Sequence, residues 1–380
     1  MQTGGFVTQA RVFAIAAALF LGVGCVVPLP APTEGEQDGL RTLHNAWTSD
    51  DGGFVTFSFE VGAETSMLIT LDPDSPYLAY VKNVYGPDGS VVVDGEAAAL
   101  GDESLVGGVY TDVVASLAWP LLSEDSLTPG TWSVEVGVTD ADGYYVSDAN
   151  VAFDAQLKTD ADLSSGTMGA DIIYVGPVID DTAARIAIEE AVENHWAPIY
   201  GDIGINLVAE YWELDGPSTM SAPGNGNATE YVAIGEQTSF RNVNVVVVED
   251  IDSSLGSLYG IAGGIPGALV ATESSGVAVS VLTNAGPDLV FSAEDVRLLG
   301  ETMAHETGHF TGLSHPVEST MDHWDGLDDT PDCGSTNECE SVLGSNLMFP
   351  YPVCAGDSCE PQPDLTNRQG GLTNRYVAVE

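Results

Sequence analysis

Three histidines and one glutamate gathered in a single short run carry the chemistry of this chain: His305-Glu306-Thr307-Gly308-His309-Phe310-Thr311-Gly312-Leu313-Ser314-His315. On a helix, residues four apart lie one turn apart on the same face, so His305 and His309 present their imidazoles side by side. Such a pair grips one divalent transition ion from one side. Gly312 follows three residues after His309. Glycine there lets the helix end and the chain reverse through a left-handed conformation, which brings His315 back as a third ligand. Three imidazoles suit Zn²⁺ and leave its fourth tetrahedral position open, the mark of a catalytic rather than a structural ion. Glu306, beside the first ligand, is placed to take a proton from an activated water and not to bind the metal. From composition, this spacing arises by chance about 10⁻⁵ times in a chain of this length. That decides against an amphipathic helix that merely happens to carry histidines.

The elements that must position these groups are legible upstream. Ser292 with Asp295 forms an S-x-x-D capping box, so a helix starts there and runs through Val296, Leu299 and Met303 into the histidines. Before it lie a strand at 277–282, a continuous apolar strand at 243–248 suited to burial on both faces, and strands at 170–175 and 205–212. Asp180 and Asp181 cap a helix that runs to about Tyr200, with Ile188, Val192, Trp196 and Ile199 on one face. The glycine-rich run 260–267 reads as a flexible loop. The strand 277–282 reads as the sheet edge bordering the cleft, able to hold an extended peptide by backbone pairing. Residues 365–376 read as a closing helix. Of the other histidines, His195 reads as packed or half-exposed, and His44 and His323 as surface residues.

The first half of the chain follows a different period. Phe54–Val61, Ser66–Leu71 and Thr131–Val138 alternate apolar and polar residues, and Pro87-Asp88-Gly89, Pro129-Gly130 and Ala141-Asp142-Gly143 supply turns. Period two with regular turns predicts an antiparallel β-sandwich. The chain therefore divides into a leader at 1–24, a spacer at 25–40, a β-sandwich-like accessory domain at 41–157, a linker at 158–168 and a metal-binding domain at 169–380.

The leader reads as a secretion signal: Arg11 precedes an apolar run from Val12 to Val23, too short to span a bilayer. Leu21-Gly22-Val23-Gly24-Cys25 resembles a bacterial lipobox, with Cys25 as the lipid acceptor and the only membrane attachment. The other four cysteines, Cys333, Cys339, Cys354 and Cys359, read as two disulfides in an exported chain, with three pairings open. A thiolate zinc site is the rival, less well matched by C-x5-C and C-x4-C spacing. With no cysteine between Cys25 and the metal helix, latency through a cysteine ligand is not expected. Asp and Glu outnumber Lys and Arg 57 to 9, a surface that repels nucleic acid and anionic lipid and keeps the protein soluble.

The run at 305–315 resembles the signature of the metzincin metallopeptidases, H-E-x-x-H-x-x-G-x-x-H, and Asn346-Leu347-Met348-Phe349-Pro350 supplies a matching methionine turn. Asp325-Gly326-Leu327-Asp328-Asp329-Thr330-Pro331-Asp332-Cys333 resembles a segment of the pappalysin-like branch. There are departures: Pro350 stands where that branch carries a tyrosine, with Tyr351 one residue further on, and Pro316 follows His315 in place of a threonine. The resemblance implies an α+β catalytic domain with a mixed twisted sheet, a zinc helix and Met348 as an apolar floor under the metal. It implies a substrate-stabilising role for Tyr351, Ca²⁺ at Asp325, Asp328, Asp329 and Asp332, and disulfides Cys333–Cys354 and Cys339–Cys359 crossing the methionine turn. The expected activity is zinc endopeptidase action on proteins or peptides, at the bacterial cell surface or outside the cell. The rivals are a lipoprotein for adhesion or carbohydrate binding with an auxiliary metal domain, which the intact Glu306 argues against, and a zinc amidase acting on small or cell-wall peptides.

Overall fold

Alternating residues in the first half of the chain and continuous apolar runs in the second produce two different sheets, and the second holds the histidines. The computed structural model describes residues 33–37, 39–95, 113–160, 162–224, 228–239, 241–253, 256–286, 289–355 and 358–380. The expected leader, Cys25 and most of the expected spacer lie outside the described residues.

Strands β1 (Thr33–Gln37), β2 (Leu40–Thr48), β3 (Phe54–Val61), β4 (Ser66–Pro73), β5 (Leu78–Tyr85), β6 (Val91–Asp94), β7 (Ala115–Trp119), β8 (Gly130–Thr139) and β9 (Asn150–Lys158) form two antiparallel sheets. Their orders are β1-β2-β9-β4-β7 and β3-β8-β5-β6. In β3 the residues Val55, Phe57, Phe59 and Val61 are buried and the intervening Thr56, Ser58 and Glu60 exposed, as period two requires. Phe57 stacks on both Trp47 and Phe153 of the opposite sheet at 4.3 Å, so the sheets face each other across an aromatic layer. The last residues of the expected spacer are not a loose tether. Thr33–Gln37 pairs antiparallel with β2, and Gly39, just ahead of β2, takes φ 75°, which glycine adopts without strain.

The second half contains β10 (Gly166–Val175), helix α1 (Thr182–Ala191), a π-helical turn (Val192–Trp196), α2 (Ala197–Asp202), β11 (Ile205–Leu214), β12 (Thr219–Ser221), α3 (Thr229–Gly235), β13 (Val243–Val248), β14 (Asp250–Asp252), β15 (Gly260–Ala262), β16 (Val277–Ser280), α4 (Val281–Ala285), α5 (Ala293–Phe310), α6 (Thr336–Leu343), β17 (Cys354–Ala355), β18 (Ser358–Cys359) and α7 (Asn367–Arg375). The main sheet has the order β11-β10-β13-β16-β15, parallel except for β15. Every residue of β13 is buried, as its mostly apolar sequence predicts for a strand covered on both faces, and its one polar residue, Asn244, donates to the Ser275 carbonyl. Ile188, Val192, Trp196 and Ile199 are all buried. Asp181 caps α1 by accepting from the amides of Ala183 and Ala184. The expected linker is largely structured: Lys158 ends β9 in a buried position and donates to the carbonyls of Asn374 and Val379, and β10 opens at Gly166.

The sheet edge is not 277–282. Residues 277–280 are β16, sandwiched between β13 and β15, and Ser280 caps the short α4 over the rest. The edge is β15, from the segment expected as a flexible loop. Its glycines serve close approach rather than looseness. A Cβ on Gly260 would lie 2.6 Å from Cγ of Glu306, and one on Gly263 would lie 2.2 Å from the Ser274 carbonyl oxygen. The disulfides also differ from the expected crossed pair: Cys333 bonds to Cys339 and Cys354 to Cys359. Cys354 and Cys359 face each other across the β17–β18 hairpin, and Cys333 and Cys339 flank the start of α6, so each partner is the one local backbone brings near. Among the described residues no helix is long and apolar enough to cross a membrane.

Candidate metal centre

Helix α5 carries the first two histidines, and its course is fixed at three points. Its N-terminus has the full capping box: the Ser292 hydroxyl accepts from the Asp295 amide and the Asp295 carboxylate from the Ser292 amide. Midway, a Cβ on Gly300 would sit 2.6 Å from both the Ala191 carbonyl oxygen and Cβ of His195, so glycine lets α5 lie against the π-helical turn. Near the end, a Cβ on Gly308 would meet Sδ of Met348 at 2.6 Å. Met348, fully buried, thus packs directly under the turn that bears the histidines.

The helix stops as the spacing of Gly312 predicts. Gly312 has φ 107°, its amide donates to the His309 carbonyl, and the Leu313 amide donates to the Gly308 carbonyl. This is a Schellman closure. It reverses the chain so that His315 returns beside His305 and His309, and the ligand nitrogens of all three lie within 4.8 Å of one another.

Each ring is held by its Nδ1. That of His305 donates to the Leu347 carbonyl at 2.6 Å, that of His309 to the Leu313 carbonyl at 2.6 Å, and that of His315 to the Glu318 carboxylate at 3.1 Å. A carbonyl oxygen only accepts, so Nδ1 carries the proton in the first two rings and Nε2 is left with its lone pair. Burial, reinforced by the neighbouring His315, pushes His305 down to about 3 and His309 well below the usual imidazole range, so both rings are neutral. Nε2 of His309 faces Nε2 of His315 at 3.1 Å. With its Nδ1 on Glu318, His315 thus turns Nε2 toward the other two rings. The gathered nitrogens fit a metal ion, and a set of three imidazoles suits Zn²⁺.

Glu306 is not part of that group and packs against the sheet edge, where its Cγ meets Gly260. Its carboxylate accepts from the Ala262 amide of β15, and burial pushes it up to about 8. Hydrogen bonds from Ser280 N to Tyr259 O and from Gly263 N to Gly276 O place the odd residues of this strand toward β16. Gly260 and Ala262 accordingly turn their amides and carbonyls outward. A cleft of about 190 Å³ opens beside His305 and Glu306, lined among others by Leu258, Tyr259, Thr302, Phe349 and Tyr351. Tyr351 thus borders the cleft, and its hydroxyl donates to Glu340 at 3.3 Å.

The remaining sequence candidates take no part in this cluster. His195 is half-buried against α5, and His44 and His323 pair with Asp154 and Asp322 at the surface. Among the described residues the three histidines are the one group of His, Cys, Asp and Glu side chains with its ligand atoms gathered in this way. Three of the four expected Ca²⁺ ligands bond to protein groups. Asp325 accepts from the Leu327 amide and the Thr330 hydroxyl, Asp328 pairs with Arg368, and Asp329 accepts from the Arg368 amide and Thr366 hydroxyl at the start of α7. Sequence reasoning missed Glu318, although the His315-x-x-Glu318 spacing is a readable sign of a supported ligand. It also missed the strand character of 260–262, whose glycines concealed it.

No family model and no curated protein matches the chain. Among solved structures, metalloproteinase-II from Bacteroides fragilis is similar over 52% of this chain and 63% of that one, at 12% identity and a TM-score of 0.25. The infectious bursal disease virus Gt strain structure is similar over 39% and 37%, at 14% identity and a TM-score of 0.19. This chain thus spans less than two thirds of the first of these.

Proposed function

We propose that this chain is an exported zinc endopeptidase of the metzincin type, closest to the pappalysin-like branch. The observation that carries the reading is the convergence of three imidazole nitrogens beside a buried carboxylate that is free of them and borders an open cleft. His305, His309 and His315 would hold the ion. A zinc ion bound there supplies a Lewis acid for the scissile carbonyl and lowers the pKa of a water to about 7.

The protein's own groups do the rest. Glu306 accepts the proton that the attacking water releases and delivers it to the nitrogen of the departing amine. Its contact with the Ala262 amide keeps the carboxylate between the metal site and the sheet edge. The outward amide and carbonyl of Gly260 pair with an extended substrate, which presents its peptide bond to that carboxylate. The wall formed by Leu258, Tyr259 and Phe349 receives a substrate side chain and excludes water from it. Met348 supports the histidine-bearing turn from below, as the methionine turn does in that superfamily. Tyr351 steadies the substrate once its hydroxyl leaves Glu340. Export fits the two disulfides, which persist in oxidising compartments; the secretion signal and lipid attachment at Cys25 belong to the same proposal.

The test is Glu306→Gln, which is close to isosteric and removes the proton acceptor. The variant should bind zinc like the wild type and lose about 10²–10⁴-fold in cleavage of a denatured protein, followed by mass spectrometry of the digest. Wild-type cleavage by Glu306→Gln, or undiminished cleavage by protein stripped of metal with a chelator, sinks the reading.

A further inference from the structure

The three ligands are not held alike. His305 and His309 are tied to main-chain carbonyls, Leu347 O beside the methionine turn and Leu313 O in the Schellman closure. Both carbonyls sit in buried backbone that the fold fixes. His315 lies past the reversal, and its Nδ1 is tied to a side chain, the Glu318 carboxylate, at 3.1 Å. Glu318 is itself set by a tight loop. Its amide donates to the His323 carbonyl, its carbonyl accepts from the Met321 amide, and Val317 bridges to Trp324. Met321 takes φ 59°, which closes that loop, and Val317 is fully buried at its root.

Resting on the metal reading above, we infer that Glu318 is the positioning residue for the third ligand. It orients the His315 ring, fixes the proton on Nδ1 and leaves Nε2 free to face the ion. A carboxylate behind an imidazole also makes that imidazole a more basic ligand than a carbonyl does. The site therefore consists of two ligands preset by backbone and a third whose grip depends on one exchangeable side chain. Metal affinity and the rate of metal loss are set at Glu318 rather than at the helix.

The experiment measures the zinc dissociation constant of the full chain by competition with a chromophoric chelator, for wild type, Glu318→Gln and Glu318→Ala. The visible spectrum of the Co²⁺-loaded proteins and the melting temperature of the metal-free proteins accompany it. Glu318→Ala should weaken zinc binding about 10–100-fold and alter the Co²⁺ spectrum, with the metal-free melting temperature unchanged. Glu318→Gln keeps an acceptor for Nδ1 without the charge, and its affinity should fall between the two. An affinity for Glu318→Ala equal to wild type overturns the inference and leaves the proposed function standing. A metal-free melting temperature that drops in step with affinity in both variants overturns it as well, since Glu318 would then only hold the loop. Wild-type protein that takes up no zinc overturns the proposed function, and this inference with it.

Discussion

The two halves of the molecule obey local rules to different degrees. In the β-sandwich half, pattern and burial agree along β3 and the start of β8, where Phe57, Phe59, Trp132 and Val134 point in and Thr56 and Ser58 point out, while β4 and β7 are buried on both faces. In the metal half, departures from local rules gather around the histidines. Glycines sit in a strand and a helix at Gly260, Gly300 and Gly308, a carboxylate is buried at Glu306, and three polar rings crowd together. Sequences that are locally consistent fold well, and departures collect where function needs them. The contrast predicts that damage in the first half reduces stability and leaves the chemistry, whereas damage at the departures reduces chemistry and leaves stability.

The largest effect belongs to the aromatic layer. Phe57 is fully buried and stacked between Trp47 and Phe153. Phe57→Ala should destabilise the protein by about 3–5 kcal/mol, read by urea or thermal unfolding. Because Phe57 shares no partner with the histidine cluster, the zinc affinity of the folded fraction should stay at the wild-type value. A variant that folds normally but loses zinc would break the comparison from the sandwich side.

Gly260→Val tests the other side. Its Cβ falls 2.6 Å from Cγ of Glu306 and 3.0 Å from Cγ2 of Thr302, so either the carboxylate or the sheet edge must move. Displacing a reacting group by about an ångström costs on the order of 10²-fold in rate. The expected outcome is that loss in kcat/KM on a peptide substrate, with zinc affinity retained because none of the three ligands is touched. Undiminished kcat/KM would show that Glu306 and the β15 edge are not parts of one catalytic arrangement.

The same contrast explains what could be read from sequence. The period-two segment 54–61 and β13 were legible because one physical rule, burial of every second residue or of all residues, governs each of them. Ser66–Leu71, expected to alternate, is instead buried at every position because β4 lies inside its sheet between β7 and β9. The cap at Ser292 and the reversal at Gly312 were legible because capping and φ > 0 leave direct marks in residue type. The identity of the edge strand was not. Glycine carries no side chain whose pattern could be counted, so Gly260 and Gly263 read as loop until their tight contacts with Glu306 and Ser274 were seen. Glu318 escaped for another reason: its three-residue spacing from His315 is its only mark in the sequence, and the 3.1 Å contact to Nδ1 depends on the loop that follows the helix. The disulfide pairing was decided by hairpin and helix geometry that spacing leaves open among three choices.

The smallest effect lies where the halves meet. Asp72, on β4, is pushed up to about 6 by burial and by repulsion from Glu273 of the second half, with Asp154 and Asp74 adding to it. The unfolded chain protonates this group near 3.8. The folded protein therefore holds the proton more tightly than the unfolded one between those values. The stabilising contribution is complete below about pH 3.8 and is lost as pH rises through about 6. At neutral pH the folded state must carry a charge it disfavours. Asp72→Asn removes that charge at every pH, so the variant should melt higher than wild type at pH 7, and the difference should shrink as the pH falls through 6 toward 4. Parallel melting curves across this range would mean that Asp72 is hydrated and that the two halves meet through water rather than through a desolvated acidic contact. The sandwich would then be less tightly docked on the metal half than the tie from Lys158 to Val379 requires.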